Sequence, residues 1–275
     1  MAVRASGASP LAAPPRLRLL SRGAVLAALV VVALVVAHVL AWRATELSTS
    51  ALLEGWRGMA DFFDQAIPPD VRWTEVLEPS LNAAKITLYI ALLGTTLSIP
   101  PALLLAVLGA RTTAPSSAVY QASRSLLSLL RAVPEIVFAL IFITAVGLGP
   151  FPGVLALLFH NVGVMGKLWS EAIEEVDLGP VEALRVAGAK RTQVVAHAIV
   201  PAVGPQFVGL LLYRFDVNVR ASLVLGLVGA GGIGFLINQS IQLFRFDEML
   251  THILVVLALI VVVDNVSASV RRRIA

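Results

Sequence analysis

Six long apolar runs alternate with polar segments along the chain. They lie at about residues 23–42, 81–108, 119–148, 151–169, 203–235 and 249–266. A helix that crosses the hydrocarbon core of a bilayer needs about 20 apolar residues, so each run predicts a membrane-spanning helix. Pro100 and Pro101 should kink the second helix or end it early, and Pro134 should mark where the third, overlong run enters the membrane.

The first run indicates a retained membrane anchor. It follows a basic segment at residues 1–22, so a cleaved signal peptide is the alternative. The apolar part of a signal peptide spans about 7–15 residues and precedes a small-residue cleavage site. The run at 23–42 is longer, no clear site of that kind follows it, and Trp42 lies where the aromatic belt of an anchor is expected.

Residues 43–80 form an acidic polar segment without lysine, interrupted by Pro68 and Pro69. A segment rich in acids and poor in basic residues is typical of a loop outside the membrane. The spacing of its apolar residues predicts either an amphipathic helix at the membrane interface or a loosely packed loop helix. These apolar residues are Leu52, Leu53, Trp56, Met59, Phe62 and Phe63.

Lysine and arginine residues in the short loops orient the chain, because such loops favour the inside of the membrane. The segments expected inside are the N-terminal tail, the loop and helix start with Arg111, Arg124 and Arg131, the segment 170–200 and the arginine triplet at 271–273. The segments expected outside are 43–80, 149–150 and about 236–247. Six crossings with both termini in the cytoplasm satisfy all of these assignments.

The composition agrees with a chain whose solvent is partly lipid. Of its 275 residues 58% are hydrophobic and 14% are charged, and the mean hydropathy is +0.87. This hydrophobicity excludes intrinsic disorder, and the absence of cysteine excludes a disulfide scaffold and a thiolate metal site. The net charge of +4 would suit nucleic acid, but the arginines cluster beside apolar runs, which indicates membrane topology and no nucleic-acid partner.

Motifs of nucleotide and hydrolytic chemistry are missing or lack their context. The sequence contains no GxxxxGK[ST], HExxH or GxSxG pattern, and its histidines are scattered, so we predict no catalytic residue and no metal site. Residues 229–234 match GxGxxG, but no βαβ pattern surrounds them. We interpret Gly229, Gly231, Gly232 and Gly234 as a segment that allows close backbone approach or breaks a helix at membrane depth.

The polar segment 170–201 contains the pattern of a short helix. Pro180 suits its first position with Gly179 as the N-cap, Glu182 would lie near the positive end, and Gly188 would end the helix or allow a close approach. Its apolar side consists of Val181, Leu184 and Val186. Because such a helix cannot bury itself alone, it predicts either a plug for the groove of another protein or an ordinary interfacial helix.

This segment resembles the EAA loop of the permeases of ATP-binding-cassette importers, which has the form EAAxxxG followed by a proline. Glu182, Ala183 and Gly188 match that form, and Pro201 falls at the expected spacing. Leu184 replaces the second alanine, which is an apolar-for-apolar change. The resemblance implies a coupling helix that contacts a separate ATPase. Its contact residues would be Glu182, Ala183, Leu184, Arg185 and Gly188.

Further stretches resemble the permease subunit of phosphonate importers. They are residues 131–135 and the region 213–221, which runs into 226–234. The resemblance covers about residues 80–270 and implies an all-helical integral membrane protein, with a type I permease core of five helices after an anchor. It also implies a homodimer, ATPases that bind the ATP and Mg, an extracytoplasmic solute-binding protein, and a place in a bacterial cytoplasmic membrane. No cofactor of its own is expected on this chain.

Four polar residues interrupt the fifth apolar region and are predicted, with the four glycines, to line the translocation pathway. At helical spacing Asp216 and Arg220 can pair on one face, while Arg214 and Asn218 lie on a neighbouring face. Arg214 then has no acid at this local spacing, and its planar guanidinium suits an oxyanion. The alternative is that both arginines pair inside the bundle or that Arg214 extends to the cytoplasmic interface.

The sequence therefore predicts four parts. They are a cytoplasmic tail at 1–22, an anchor helix at 23–42, an extracytoplasmic loop at 43–80 and a permease core at 81–270 with its coupling loop at 170–201. The predicted function is ATP-driven import of phosphonate or a related phosphorus oxyanion. The same machinery with phosphate, phosphite or another solute is the first alternative, and a membrane assembly protein without transport is the second.

Overall fold

The computed structural model describes residues 22–46 and 48–274. Within those residues the chain forms α-helices and two π-helical turns, Trp73–Leu77 and Val195–Ile199, and no strand. The α-helices are α1 (Arg22–Ala44), α2 (Thr49–Ala66), α3 (Glu78–Leu108), α4 (Ser117–Ala132), α5 (Glu135–Val146), α6 (Pro150–Glu174), α7 (Leu178–Val186), α8 (Arg191–Val194), α9 (Val200–Leu227), α10 (Ile233–Gln242) and α11 (Phe246–Ile274). The basic tail predicted at 1–22 lies, except for Arg22, outside the described residues.

The chain divides into two units, Met1–Ala60 and Asp61–Ala275. The first unit contains α1 and the beginning of α2. Between residues 23 and 44 every side chain of α1 is exposed, although most of them are apolar. The segment Gly23–Ala44 is long and apolar enough to cross a membrane, as the anchor predicted at 23–42 requires.

Helices that could cross a membrane correspond to all six predicted runs. In the described part of the chain, five segments are long and apolar enough by themselves, and a sixth crossing results when α4 and α5 are taken together. The five are Gly23–Ala44, Trp73–Leu108, Pro150–Glu174, Thr192–Leu227 and Phe246–Arg273. The all-helical membrane fold predicted from the sequence is therefore confirmed.

The third predicted run is a pair of helices rather than one. α4 and α5 meet at 85°, and the break between them contains Val133 and Pro134. A proline disfavours helical backbone at the residue before it, and Val133 is accordingly extended, with φ −84° and ψ 119°. The break thus falls where Pro134 predicted it, and α5 begins at Glu135.

The double proline does not end the second predicted helix early. α3 continues through Pro100 and Pro101 to Leu108. Each proline removes one backbone donor from the helix, but this part of α3 is fixed by its neighbours. Ala102 and Ala106 are fully buried in a cluster with residues of α6 and α9. Packing therefore keeps the segment helical where the local sequence favoured a stop.

The fifth apolar region, predicted at 203–235, is divided into two helices. α9 ends at Leu227 and α10 begins at Ile233, with a five-residue turn between them. The turn carries Gly229, Gly231 and Gly232, all with positive φ. A positive φ is adopted mainly by glycine. The helix therefore ends at these glycines, although the run of apolar residues continues through them.

The segment between α2 and α3 is fixed to the beginning of α11. The Asp70 N–H donates to the Asp247 carbonyl at 3.3 Å, and the Thr251 hydroxyl donates to the Asp70 carbonyl at 2.7 Å. Hydrogen bonds from Arg72 lower the pKa of the Asp70 carboxyl. These bonds bring together two segments, 43–80 and 236–247, that the charge pattern assigns to the same side of the membrane.

Candidate functional site

A layer of polar side chains crosses the middle of the core bundle. Arg214 of α9 is 9% exposed, and its Nη2 and Nε both donate to the Asn161 Oδ1 of α6, at 2.7 and 3.2 Å. Both residues lie near the middle of their helices. Within the described residues no carboxylate oxygen lies within 4.0 Å of the guanidinium, so its charge is held by amide oxygens rather than by an acid.

Two further residues complete this layer on α9 and α3. Arg214 Nη2 also lies 3.4 Å from the Asn218 Oδ1, and the Asn218 amide donates to the Thr95 hydroxyl at 2.7 Å. Thr95 in turn donates to the Ala91 carbonyl of its own helix at 2.6 Å. We call the four residues Thr95, Asn161, Arg214 and Asn218 the polar layer. Its bonds connect α3, α6 and α9 at one level of the bundle.

Glu135 and His160 lie beside the polar layer at the break between α4 and α5. The His160 Nε2 and the Glu135 Oε2 are 3.6 Å apart, and His160 Nδ1 lies 3.1 Å from the Val133 carbonyl. Both residues interact electrostatically with Arg214. The Glu135 side chain is 36% exposed, so this carboxyl faces the surface of the single chain while Arg214 lies behind it.

The second arginine predicted for the pathway belongs to a different contact. Arg220 Nη2 is 3.0 Å from the Asp216 Oδ2, the partner that the four-residue spacing predicts, and 2.7 Å from the Asp264 Oδ1 of α11. Because six residues separate the two arginines, Arg214 turns towards α3 and α6 while Arg220 turns towards α11. The four polar residues of α9 therefore form two groups rather than one.

The glycine segment forms a tight turn held by three other parts of the core. The Ile233 N–H donates to the Thr87 hydroxyl of α3 at 2.9 Å, and the Gly149 N–H donates to the Gly229 carbonyl at 3.0 Å. A side chain at Gly234 would overlap the Leu223 carbonyl, so α9 and α10 pack backbone against backbone. The glycines thus create a helix break with close approach. They are distinct from the polar layer.

The short helix predicted in the segment 170–201 is α7, but it begins earlier than expected. Its N-cap is Asp177, whose carboxylate accepts from the Gly179 N–H at 3.0 Å, and Pro180 is its third residue. Aspartate is a stronger cap than glycine, which explains the shift. Glu182 consequently lies beyond the first turn, away from the positive end of the helix. α6 also extends to Glu174, which shortens the predicted loop.

The exposed face of α7 carries most of the residues that match the EAA pattern. Val181 is 2% exposed and packs with Leu184 on the core, whereas Glu182, Ala183 and Arg185 are exposed. Val186, which the sequence groups with Val181 and Leu184 on one apolar side, is 90% exposed, because five residues of helix turn it away from Val181. An outward apolar side chain of this kind on a short loop helix fits a partner protein.

Gly188 ends the helix with open space around it. Its φ is +81°, and a side chain there would meet nothing within 4 Å in this chain. The Gly188 and Ala189 N–H groups donate to the Arg185 and Leu184 carbonyls at 3.0 Å each, which closes the last turn. The space beside Gly188 is therefore open among the described residues of this chain.

The chain belongs to the family of binding-protein-dependent transport system inner membrane components, which it matches over residues 87–275. It is accordingly a multi-pass permease of an ATP-binding-cassette transporter, the component of such a system that spans the membrane and does not hydrolyse ATP. This confirms the family predicted from the EAA pattern and from the region 213–234.

Two relatives of this chain are permease proteins for phosphite and for phosphate. The chain is 42% identical over 232 residues to the phosphite transport system permease protein PtxC of Stutzerimonas stutzeri, covering 84% of this chain and 83% of that protein. It is 37% identical over 232 residues to the phosphate-import permease protein PhnE of Mycolicibacterium smegmatis, covering 84% of this chain and 43% of that longer protein.

Solved structures confirm the fold at low sequence identity. The chain is similar to a chain of the MetNI methionine ABC transporter in an inward-facing conformation, with a TM-score of 0.60, 20% identity, and coverage of 73% of this chain and 96% of that one. A bacterial alginate ABC transporter gives a TM-score of 0.62 at 16% identity, covering 89% of this chain and 94% of that one.

Sequence reasoning missed the partners of the polar layer. Asn161 interrupts an apolar run, and a polar residue at membrane depth is a signal that could have singled it out. Thr95 carries no such signal, because a threonine in a membrane helix commonly bonds its own backbone. The contact between Glu135 and His160 depends on the break at Pro134 and on the packing of α5 against α6. Local sequence patterns do not predict that packing.

Proposed function

We propose that this permease imports a phosphorus oxyanion, with phosphonate, phosphite and phosphate as the ligands to be tested. The three share a phosphorus atom bearing charged oxygens, and permeases named for phosphite and phosphate transport are 42% and 37% identical to this chain. Supporting this choice, the one strongly buried cation of the polar layer is held by neutral amides. In an apolar bundle such a cation favours an anion as its partner.

Arg214 is the observation that carries the proposal. A guanidinium offers several N–H donors in one plane, and only three contacts to amide oxygens engage it in the described residues. An oxyanion passing the middle of the bundle would replace these neutral acceptors by charged ones. Hydrogen bonds between charged groups are about twice as strong as neutral ones, so the exchange stabilises the anion during its passage.

Uptake of radiolabelled phosphite by cells carrying the complete transporter tests this role. Arg214→Gln removes the charge and should lower uptake by about tenfold or more, the effect of losing charged hydrogen bonds. Asn161→Asp should also lower uptake. It places a carboxylate against the Arg214 guanidinium, which then competes with the transported anion. Arg43→Gln is the matched control, since Arg43 is exposed at the end of α1 and belongs neither to the polar layer nor to the proposed docking face.

Both variants must be compared at equal amounts of permease in the membrane and equal ATPase recovery. Normal uptake in Arg214→Gln and in Asn161→Asp would contradict the proposal. Competition by unlabelled methylphosphonate, phosphite, phosphate and sulfate then ranks the ligands. Equal competition by sulfate would reject a phosphorus-specific importer while leaving an anion permease in place.

Coupling to a separate ATPase is proposed for the exposed face of α7. Glu182, Ala183 and Arg185 are exposed there, Leu184 anchors the helix, and Gly188 leaves room for a close approach. In this arrangement ATP and Mg bind to the ATPase, and the permease contributes no cofactor. A second copy of this chain would complete the pathway as a homodimer, and an extracytoplasmic binding protein would deliver the ligand.

The remaining proposal concerns orientation. With α7 at the ATPase, the turns at 147–149, 228–232 and 243–245 lie at the opposite end of the core, on the side of the binding protein. The Asp70–Asp247 hydrogen bond brings the segment 67–72 to that same end. Both termini would then be cytoplasmic, as the arginine clusters indicate.

A further inference from the structure

A carboxyl group lies beside the cation that the proposed function assigns to the transported anion. Glu135 is the first residue of α5, its Oε2 lies 3.6 Å from the His160 Nε2, and it interacts electrostatically with Arg214. His160 is followed in α6 by Asn161, which accepts the hydrogen bonds of Arg214. The acid and the cation therefore contact consecutive residues of one helix.

The Glu135 carboxylate is free to accept hydrogen bonds. Among the residues that the structure describes, no N–H or O–H group donates to it, and the 3.6 Å that separate it from His160 exceed the length of a hydrogen bond. Its side chain is 36% exposed, so a ligand can reach it, whereas Arg214 is 9% exposed. A negative charge at this place repels a bare anion and suits an anion that offers a hydrogen in return.

The neighbouring imidazole adds a second acceptor. The His160 Nδ1 lies 3.1 Å from the Val133 carbonyl, which can only accept, so Nδ1 carries the hydrogen. In the neutral ring Nε2 then offers a lone pair. His160 Nε2 and Glu135 Oε2 are thus two acceptors that face each other, and a hydroxyl group of a ligand could donate to either of them.

An oxyanion that still carries a hydrogen fits both kinds of group. Its charged oxygens accept from the Arg214 guanidinium, and its hydroxyl donates to the Glu135 carboxylate. Phosphonate, phosphite and phosphate carry a P–OH group in their singly charged forms. Sulfate and the monoester of a phosphonate carry no such hydrogen at neutral pH, so the carboxylate repels them without forming a hydrogen bond.

We propose that Glu135 is a specificity-determining residue that selects phosphorus oxyanions bearing a P–OH group. Glu135 accepts a hydrogen bond from that hydroxyl while Arg214 binds the charged oxygens, and no proton is transferred. The proposal rests on the function proposed above and specifies which form of the oxyanion passes. It also gives a role to Glu135 within the segment 131–135, which the sequence singles out.

Anion binding to the complex of permease and ATPase in nanodiscs tests this selection. The binding protein is left out, so that its own ligand preference does not enter. The melting temperature of the permease is followed against the concentration of methylphosphonate, of its monomethyl ester and of sulfate, at one mildly acidic pH and equal ionic strength. The stabilisation by each ligand gives its dissociation constant.

The wild type should bind methylphosphonate about tenfold or more tightly than the ester, which is the effect of one hydrogen bond to a charged group. The two ligands have the same charge at this pH, and only methylphosphonate has the hydroxyl. Sulfate should bind more weakly than methylphosphonate as well.

Three variants locate the selection. Glu135→Gln removes the charge at nearly constant size, and it should bring the preference for methylphosphonate over the ester close to one. Glu135→Asp keeps a carboxylate and should retain the preference. Glu54→Gln is the matched control, because Glu54 is exposed on α2. The preference is a ratio taken within each variant, so a general loss of stability does not imitate the effect.

Arg214→Gln separates a failure of this inference from a failure of the proposed function. If Arg214→Gln loses methylphosphonate binding but Glu135→Gln keeps the preference of the wild type, the anion site stands and the role of Glu135 is overturned. Equal binding of methylphosphonate and the ester by the wild type would overturn it too. Unchanged binding in Arg214→Gln, or no binding of any anion by the wild type, would instead contradict the proposed function and with it the selection.

Discussion

The backbone N–H of Ile233 donates a hydrogen bond to the hydroxyl of Thr87, which lies 146 residues earlier in the chain. Ile233 is the first residue of α10, so the bond supplies an acceptor to a helix start that has no N-cap side chain of its own. Both residues are fully buried. The glycine break is therefore held in place by α3. A substitution at Thr87 should affect the turn at 228–232, although the two are far apart in the sequence.

Thr87→Val should destabilise the permease by about 1–3 kcal/mol, because it leaves the Ile233 N–H buried without an acceptor. Thr87→Ser keeps the hydroxyl and should retain most of the stability. Thermal unfolding of the detergent-solubilised protein measures both, with Thr96→Val as the control for loss of an exposed hydroxyl. Equal melting temperatures for Thr87→Val and the control would contradict the capping role.

Gly234→Ala should impair folding or transport, since the new methyl group would overlap the Leu223 carbonyl and force α9 and α10 apart. Gly204→Ala in α9 is the matched control, because nothing lies within 4 Å of that position. Alanine favours a helix over glycine by about 0.5–1 kcal/mol, so Gly204→Ala should be neutral or stabilising. Parallel phosphite uptake and melting measurements decide whether the two substitutions differ as expected.

The number of spans, the break at Pro134 and the Asp216–Arg220 pair could be predicted because each depends on local information. Apolar run length, a proline and a four-residue spacing are all visible in the sequence. The contact of Arg220 with Asp264 could not be predicted, since 44 residues separate them and only the packing of α9 on α11 brings them together. The same holds for the buried amide of Asn161, whose partner lies on α9.

Some local expectations differ from the structure, in one case because of tertiary packing and in two because of the geometry of α7 itself. Pro100 and Pro101 predicted a kink or an early end of the helix, and buried packing keeps α3 helical through them. Gly179 and Pro180 predicted that the helix begins at residue 180. The helix begins earlier, at Leu178, because Asp177 is a better N-cap than Gly179. Val186 does not share one apolar side with Val181 and Leu184, because the helix turns it outward.

Glu182→Lys should weaken binding of the ATPase while leaving the permease folded. Glu182 is exposed and lies beyond the first turn of α7, so reversing its charge changes the docking surface rather than the helix. Gly188→Leu should act similarly, by holding two surfaces apart at a position that is open in the single chain and by straining a backbone with φ +81°.

Pull-down of the ATPase by each variant, at matched permease yield, measures the effect. Glu54→Lys reverses a charge on α2 and should leave ATPase recovery unchanged. Recovery at the wild-type level by both Glu182→Lys and Gly188→Leu, together with normal uptake, would rule out α7 as the coupling helix.

Arg220→Gln should reduce assembly or thermal stability, because it leaves the carboxylates of Asp216 and Asp264 without their shared cation. Adding Asp264→Asn to this variant should restore part of the loss, since one of the two negative charges is removed. Melting of the single and double variants tests the contact. An unchanged melting temperature in Arg220→Gln would show that the contact contributes nothing measurable.

The orientation can be tested cleanly because the chain contains no cysteine. Val71→Cys is exposed in the segment tied to α11 and should react with a membrane-impermeant maleimide in intact cells. Arg272→Cys should react only after the membrane is permeabilised. Labelling of Arg272→Cys from outside in intact cells would reverse the proposed topology.

The break at Pro134 has an electrostatic consequence for the middle of the bundle. Because α5 begins there, the N–H groups of its first turn, and with them the positive end of its dipole, lie at the level of His160 and the polar layer. Glu135 occupies that first turn and partly offsets this potential. The positive field at this depth therefore has two sources, one in a side chain and one in the backbone. Arg214→Gln removes only the contribution of the side chain. The attraction for anions that remains in this variant measures the contribution of the α5 backbone.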